Sequence, residues 1–292
     1  MVVSKDIKNL YPFSSKYFLL QENPPVRIHY IDEGKGDPIL CLHGNPTWSF
    51  YFRNIVKAFS ATNRVVALDH LGCGYSDKPQ DFSYNLSTHI AHVEKLILEL
   101  DLKKITLLLH DWGGAIGMGL TLKKPERIKN VILLNTAAFR SKDIPKRIAL
   151  LKIKGFSSFL IRRANLFCRA ATYMTTVKKL PQEIKKAYLA PYSNFHDRVA
   201  IEAFVRDIPL SKSHKTYSLL NKIEKGLKDF KCPVLILWGE KDFCFHKGFL
   251  KQWETFFPNA KVHLFKNAGH YVLEDEPLAT TKLIRDFLNE HH

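Results

Sequence analysis

The short stretch His110-Asp-Trp-Gly-Gly follows an apolar run, residues 105–109, and precedes a segment with the composition of a helix. A strand that turns sharply into a helix is the context of a nucleophile elbow, where the turn exposes one reactive side chain. Asp111 occupies the nucleophile position. A carboxylate attacks carbonyl carbon poorly, but it displaces leaving groups from saturated carbon and yields a covalent alkyl ester. Leu109 stands where the elbow usually has its first glycine, and Asp111 alone could instead cap the helix.

Asp242 and His270 supply the other residue types that this chemistry needs. Asp242 follows the apolar run 233–238, and His270 comes 28 residues later in Asn267-Ala-Gly-His. The chain order nucleophile, acid, histidine is that of the triad in α/β-hydrolases. Each residue alone has an ordinary structural explanation, as a turn cap or as a buried hydrogen-bonding group. Their order and their positions at strand ends together favour a catalytic triad.

Asn45 and Trp112 are candidates for binding a leaving group. Asn45 lies in His43-Gly-Asn-Pro-Thr-Trp, directly after the apolar run Pro38–Leu42, and Trp112 follows the candidate nucleophile. An asparagine amide and an indole N–H are neutral donors, and two such donors aimed at one point suit an expelled anion. The alternative is that the tryptophan only packs and the asparagine only turns the chain.

The elements that would position these residues follow from short apolar runs. Runs of this kind occur at residues 38–42, 64–68, 105–109, 130–134 and 233–238, with helical patterns between several of them. Continuous apolarity is typical of parallel strands covered by helices on both faces. We therefore predict an α/β fold with a mostly parallel, doubly wound sheet. The alternation stops near residue 135, so we expect a core of residues 1–134 and 226–292 and an inserted helical cap of residues 135–225.

Several longer stretches resemble a known family. His43-Gly-Asn-Pro-Thr-Trp, Asp69-His-Leu-Gly-Cys-Gly-Tyr-Ser-Asp-Lys-Pro, His110-Asp-Trp-Gly-Gly and Ala268-Gly-His are similar to the haloalkane dehalogenase branch of the α/β-hydrolases. Residues 134–139, 190–194, 204–210 and 238–245 resemble the subgroup that contains the β-lactone (cis-3-alkyl-4-alkyloxetan-2-one) decarboxylases of bacterial olefin biosynthesis. The resemblance covers roughly residues 10–290, cap included.

The resemblance implies the same roles as the chemistry. Asp111 is the nucleophile, His270 the base, Asp242 its orienting acid, and Asn45 with Trp112 the leaving-group donors, with no metal and no cofactor. The expected substrate is a hydrophobic small molecule, a long-chain cis-β-lactone that becomes a cis-alkene; the alternative is a haloalkane hydrolysed to alcohol and halide. An aromatic-rich cap would suit alkyl chains, and it contains Phe156, Phe159, Phe167, Tyr173, Phe195 and Phe204.

The same residues are compatible with other functions. An epoxide hydrolase needs two cap tyrosines, and Tyr173, Tyr188, Tyr192 and Tyr217 are available. Asn45 and Trp112 instead favour an anionic leaving group that needs no proton. Fluoroacetate dehalogenases carry arginine where this chain has Trp112. A catalytically silent binding protein on a hydrolase fold would normally have lost a triad member, whereas every candidate is present here.

Composition and charge bound the remaining possibilities. The 292 residues are 46% hydrophobic and carry a formal charge of +16, with 13 basic against two acidic residues between positions 140 and 190. Five cysteines without a C-x-x-C pair and an N-terminus without a secretory apolar region favour the cytoplasm. No nucleic-acid-binding motif accompanies the charge. Residues 152–169 combine an apolar stripe with basic residues, a pattern that would suit contact with an anionic membrane or a pathway enzyme; a solvated basic face is the favoured interpretation.

Overall fold

The computed structural model describes residues 5–291 other than residues 22, 142, 144, 154 and 156, so Lys142 and Phe156 lie outside it. Eight strands form one sheet in the order β1-β2-β4-β3-β5-β6-β7-β8. Strands β3 to β8 are parallel, and β1 and β2 join antiparallel at one edge. The strands are β1 (Lys16–Gln21), β2 (Val26–Glu33), β3 (Pro38–Leu42), β4 (Arg64–Leu68), β5 (Ile105–Asp111), β6 (Ile128–Thr136), β7 (Val234–Gly239) and β8 (Lys261–Phe265).

Five of these strands coincide with the predicted apolar runs. Every residue of β3, β5 and β7 is buried, as expected for strands with helices on both faces. In the central register Leu42 lies beside Leu68 on one side and Leu109 on the other. The doubly wound, mostly parallel sheet is confirmed. Strands β1, β2 and β8 were not among the predicted runs; polar residues interrupt β2 and β8, and β1 was missed although its four central residues are apolar.

The helices flank this sheet in groups. Helix α3 packs on α4, and α2 packs on α12, while α4 also contacts β5 and β6. The helices are α1 (Lys5–Lys8), α2 (Arg53–Phe59), α3 (Leu86–Glu99), α4 (Trp112–Lys123), α5 (Lys146–Leu150), α6 (Leu166–Met174), α7 (Gln182–Leu189), α8 (Val199–Asp207), α9 (Tyr217–Gly226), α10 (Lys247–Phe256), α11 (Val272–Asp275) and α12 (Pro277–Glu290), with a π-helical segment at Ser158–Arg163. None of the helices in the described part of the chain has the length and apolarity needed to span a bilayer.

The chain between β6 and β7 is helical and contains α5 to α9. Strand β6 continues to Thr136, two residues beyond the predicted end of the core at residue 134, and α9 packs on α4 beside the sheet. The division into core and cap therefore stays a prediction, with both of its boundaries close to elements that the sheet layer uses.

Two acidic side chains in α11 attach this helical segment to the sheet. The Glu274 carboxylate accepts hydrogen bonds from both terminal nitrogens of Arg53, at 2.6 and 2.8 Å, and from the Tyr188 hydroxyl in α7. Asp275 accepts from the backbone amides of Val177 and of Gly269, the residue before the candidate base. Because buried charges are costly unless paired, these contacts hold the two layers in one arrangement.

Candidate active site

Strand β5 ends at Asp111, and α4 begins at the next residue. Asp111 has φ 51° and ψ −123°, a backbone conformation that costs about 1–3 kcal/mol and is typical of functional turns. The helix starts so close to β3 that a Cβ on Gly113 would lie 2.0 Å from the carbonyl oxygen of Leu42. The predicted elbow is therefore built, and glycine at position 113 lets the helix approach β3.

His270 lies between the two predicted carboxylates. Its Nε2 is 3.8 Å from Asp111 Oδ2, and its Nδ1 is 2.8 Å from Asp242 Oδ2. All three side chains are buried. The structure thus brings together three residues that are separated by up to 159 positions, in the arrangement that lets one carboxylate orient the imidazole toward the other.

The two oxygens of Asp111 have different surroundings. Oδ1 accepts a hydrogen bond of 2.6 Å from the backbone amide of Asn45, whereas Oδ2 faces His270. Because the amide occupies Oδ1, Oδ2 is the oxygen left for attack. Once Oδ2 is esterified, Oδ1 becomes the carbonyl oxygen of the ester and already lies beside its donor.

Burial shifts the pKa values of this pair. Burial raises the pKa of the Asp111 carboxyl, while the charge of His270 and the backbone amides of Asn45 and Trp112 oppose the rise. Burial alone would lower the pKa of His270, but the charge and hydrogen bond of Asp242, with the charge of Asp111, hold it above its ordinary value. The Asp111 shift therefore follows from burial, and the His270 shift from the two carboxylates on either side of the imidazole.

Asn45 and Trp112 both border the space in front of Asp111. The side-chain nitrogen of Asn45, Nδ2, donates to the carbonyl oxygen of Ile201 at 3.0 Å. This leaves one of the two Nδ2 hydrogens for a ligand. The Trp112 indole makes no hydrogen bond to the described residues, and its ring packs against Phe204 with centroids 5.4 Å apart. The predicted pair of neutral donors therefore lies together, with the asparagine held in place by α8.

A cavity of about 420 Å³ opens from these polar groups. Ligand pockets of this size are usual for small molecules, and one apolar wall with few polar groups favours an alkyl substrate. Its polar end consists of Asp111, His270, Asn45 and Trp112. Its apolar wall includes Phe139, Ile148, Leu150, Leu151, Leu160, Leu166, Phe167, Met174, Val205, Ile208, Leu220, Phe245 and Phe249.

Comparison with known proteins agrees with this geometry. A family described as the alpha/beta hydrolase fold matches residues 37–277. The chain belongs to the α/β-hydrolase family. The fold class predicted from the apolar runs and the motifs is confirmed.

Two curated relatives of this hydrolase are named cis-3-alkyl-4-alkyloxetan-2-one decarboxylase. The protein of Shewanella oneidensis is 40% identical, over 97% of this chain and 91% of the relative. That of Xanthomonas campestris is 35% identical, over 96% of this chain and 98% of the relative. Among solved structures, the haloalkane dehalogenase DatA from Agrobacterium tumefaciens C58 superposes with a TM-score of 0.86 at 26% identity, covering 96% of this chain and 98% of that one. The predicted resemblance and the prediction of an enzyme are confirmed.

The aromatic lining expected for the cap is wrong in most positions. Of the named residues that the structure describes, Phe167 lines the cavity of the hydrolase, whereas Phe159, Tyr173 and Phe195 are exposed and Phe204 is buried behind Trp112. Aliphatic side chains from α5, α6 and the π-helical segment form much of the wall, together with phenylalanines outside the expected set, Phe139, Phe245 and Phe249. Helical periodicity identifies an apolar face but does not say which of two neighbouring surfaces that face covers.

The tyrosines that an epoxide hydrolase would need do not reach the cavity. Tyr188 donates to Glu274, Tyr192 lies against Gly74 and Thr47, and Tyr217 accepts from Arg140. Tyr173 is 66% exposed. None of the four borders the cavity formed by the described residues. This geometry argues against acid catalysis by cap tyrosines in this hydrolase.

Two residues that support the site were not predicted. Asn135, at the end of β6, donates to Asp242 Oδ2 at 2.9 Å, and Phe245 stacks on the His270 ring with centroids 5.6 Å apart. Both lie within stretches that carry the family resemblance. Asn135 also carried a usable signal, because it is a polar residue directly after an apolar run, as is His43.

Proposed function

We propose that this hydrolase decarboxylates a long-chain cis-β-lactone to a cis-alkene through an ester at Asp111. The observation that carries the proposal is the 40% identity, cap included, to a protein named for this reaction. The geometry supports it independently, since Asp111, whose Oδ2 does not accept from the Asn45 amide, borders an apolar cavity that also holds two neutral donors. The product would be an olefin.

The first step is attack by Asp111 Oδ2 on the ring carbon that carries the lactone oxygen. A carbon–oxygen bond forms, the ring carbon–oxygen bond breaks with inversion, and its electron pair leaves on the lactone oxygen. This generates a carboxylate that stays attached to the substrate through the neighbouring carbon. The N–H groups of Asn45 and Trp112 would stabilise this developing anion.

The second step returns the enzyme to its starting state. The bond between the neighbouring carbon and the carboxylate breaks, and its electrons form the carbon–carbon double bond. The Asp111 carboxylate leaves with the electrons of the ester carbon–oxygen bond, and CO2 is released. Inversion followed by departure from opposite faces preserves the cis relation of the two alkyl chains. No water and no proton enter this sequence.

Hydrolysis of a haloalkane is the second candidate, and one observation favours it. His270 is 3.8 Å from Asp111 and is oriented by Asp242, which is the arrangement that activates water against an ester. Decarboxylation does not require that base. If a lactone is the natural substrate, we expect haloalkanes to react more slowly than the lactone at the same site.

The test offers the purified enzyme a cis-dialkyl β-lactone and a 1-bromoalkane of similar size, and measures alkene and bromide release in parallel. Alkene formation that is faster by orders of magnitude supports decarboxylation. Efficient bromide release without alkene makes the enzyme a dehalogenase. Asp111→Asn removes both activities under either assignment, because the amide is not a competent nucleophile.

A matched control uses a second aspartate outside the site. Asp77 forms an ion pair with Arg27 and does not border the cavity. Asp77→Asn makes the same chemical change and should retain both rates. Turnover by Asp111→Asn at the rate of Asp77→Asn would mean that the nucleophile is assigned wrongly.

A further inference from the structure

One stretch of the cap concentrates positive charge and contains no acidic residue of its own. Residues 144–182 contain nine lysines and arginines and no aspartate or glutamate. Within this stretch Arg162 approaches Glu202 at 3.9 Å and Lys178 pairs with Glu276 at 3.0 Å. Arg163, Arg169 and Lys179 are exposed, and none of them forms an ion pair with a described residue. The surface therefore carries cations that the protein itself does not neutralise.

The same stretch exposes apolar side chains. Of the fifteen large hydrophobic residues that are exposed in the described chain, seven lie between positions 150 and 177. Scattered exposed hydrophobics are normal, but a cluster of this kind marks an interaction surface. The seven are Leu150, Ile153, Phe159, Leu166, Tyr173, Met174 and Val177.

This apolar cluster is continuous with the substrate cavity. Leu150, Leu166 and Met174 are 49%, 48% and 37% exposed, and each of them also lines the cavity. Phe159 and Tyr173 are the direct chain neighbours of two cavity-lining residues, Leu160 and Met174. The opening of the cavity is thus apolar along this side of its outer surface, while Asp143, which is exposed and also lines the cavity, adds one acidic group.

We propose that this face docks on an anionic phospholipid bilayer with the opening of the cavity against the lipid. Apolar side chains would enter the boundary between headgroups and acyl chains, and the unpaired cations would contact the lipid phosphates. Charge complementarity favours this occupant, because a second copy of the same chain would bring the same unneutralised cations, Arg163, Arg169 and Lys179, against the first set. A hydrophobic substrate would then reach Asp111 without crossing water. This route for the substrate rests on the proposed function, whereas docking on the bilayer does not.

The test measures binding of the full chain to phosphatidylcholine vesicles with and without 30% phosphatidylglycerol by flotation. We expect strong binding only with the anionic lipid, falling as NaCl is raised, since each basic residue near such a surface contributes about fivefold in affinity. Arg163→Glu with Arg169→Glu should weaken binding at least about tenfold. Phe159→Ser with Ile153→Ser should weaken it several-fold at unchanged charge.

Matched controls keep the result interpretable. Lys57→Glu with Lys251→Glu makes the same change of charge at two exposed lysines outside the cap that form no ion pair with a described residue. Leu278→Ser removes an 86% exposed hydrophobic side chain, also outside the cap. These controls should bind as the wild type does. Equal binding to neutral and anionic vesicles, or cap variants that bind like the controls, would overturn the proposal. So would cap variants that lose self-association or binding to duplex DNA while vesicle binding persists.

Turnover separates this inference from the proposed function. A short-chain, water-dispersed β-lactone does not need a membrane, so all these variants should convert it at the wild-type rate, which also shows that they fold. Failure of every variant and the wild type to form alkene would refute the lactone assignment and leave the vesicle result standing.

Discussion

Asn135 and Asp242 are joined across β6 and β7 by a hydrogen bond of 2.9 Å, and it ends on the same carboxylate oxygen that contacts His270. The amide nitrogen of Asn135 also donates to the Gly239 carbonyl, and its oxygen accepts from the Gly239 amide at 2.8 Å. The other oxygen of Asp242 accepts from the Cys244 amide at 2.6 Å. Asp242 is therefore held from two sides, and Asn135 is a positioning residue for the base.

Replacing Asn135 by alanine should impair the step that needs His270. Loss of the amide leaves buried groups of Gly239 and Asp242 with fewer partners, which costs about 1–3 kcal/mol of stability. Asn135 has a φ of 33°, so alanine adds backbone strain that glycine would not. Asn135→Gly should therefore be more stable than Asn135→Ala in urea unfolding, yet both should lower kcat for bromoalkane hydrolysis equally. Rates that follow stability instead would assign Asn135 a structural role only.

His270→Gln should separate the two chemical routes. Without a base, water cannot be activated, so a bromoalkane should alkylate Asp111 and the ester should persist, with hydrolysis slower by about 10²–10⁴-fold. Intact-protein mass spectrometry detects the adduct. Decarboxylation of the lactone adduct uses no water, so alkene formation should continue. Loss of alkene formation in a folded His270→Gln enzyme would contradict that route.

The pH profiles of the two substrates should differ on the acid side. Attack requires the Asp111 carboxylate, whose pKa burial raises, so both rates should fall with decreasing pH earlier than an exposed aspartate, with a pKa of about 3.9, would allow. Ester hydrolysis also requires neutral His270, and in the free enzyme Asp242 and Asp111 hold the pKa of His270 above its ordinary value of about 6.5.

As pH falls through the pKa of His270, kcat for the bromoalkane should therefore drop, and kcat for the lactone should not. Parallel measurement of both substrates between pH 5 and 9 provides the check. A shared limb near neutrality would show that decarboxylation also depends on the histidine.

Gly113 should not tolerate a side chain. An added Cβ would lie 2.0 Å from the Leu42 carbonyl oxygen, which belongs to the buried strand β3 and cannot yield. Gly113→Ala should cost about 3 kcal/mol or more, or prevent folding. Gly226→Ala is the matched control: its Cβ would meet the Leu122 side chain, and that side chain is exposed and flexible, so stability should change by less than about 1 kcal/mol. Denaturation midpoints compare the two.

Much of the fold and the candidate nucleophile follow from local patterns. A buried parallel strand must be apolar on both faces, so β3 to β7 were recognisable as continuous apolar runs. Asp111 was recognisable because it lies just after one of these runs. Asp242 and His270 were found by their order along the chain. The edge strand β8 escaped because its first three residues are exposed and leave no apolar pattern.

The distances around Asp111 were decided by the tertiary structure alone. The strand order brings residues 111, 135, 242 and 270 to one edge of the sheet, and their chain spacing does not encode which oxygen accepts from which donor. The cap illustrates the same limit, since Phe204 and Phe159 were both expected to suit an alkyl chain, yet Phe204 lies behind Trp112 and Phe159 lies on the outer surface. A pattern reports the preference of a side chain for an apolar environment, whereas the neighbour that supplies this environment comes from elsewhere in the chain and is set only when the layers pack.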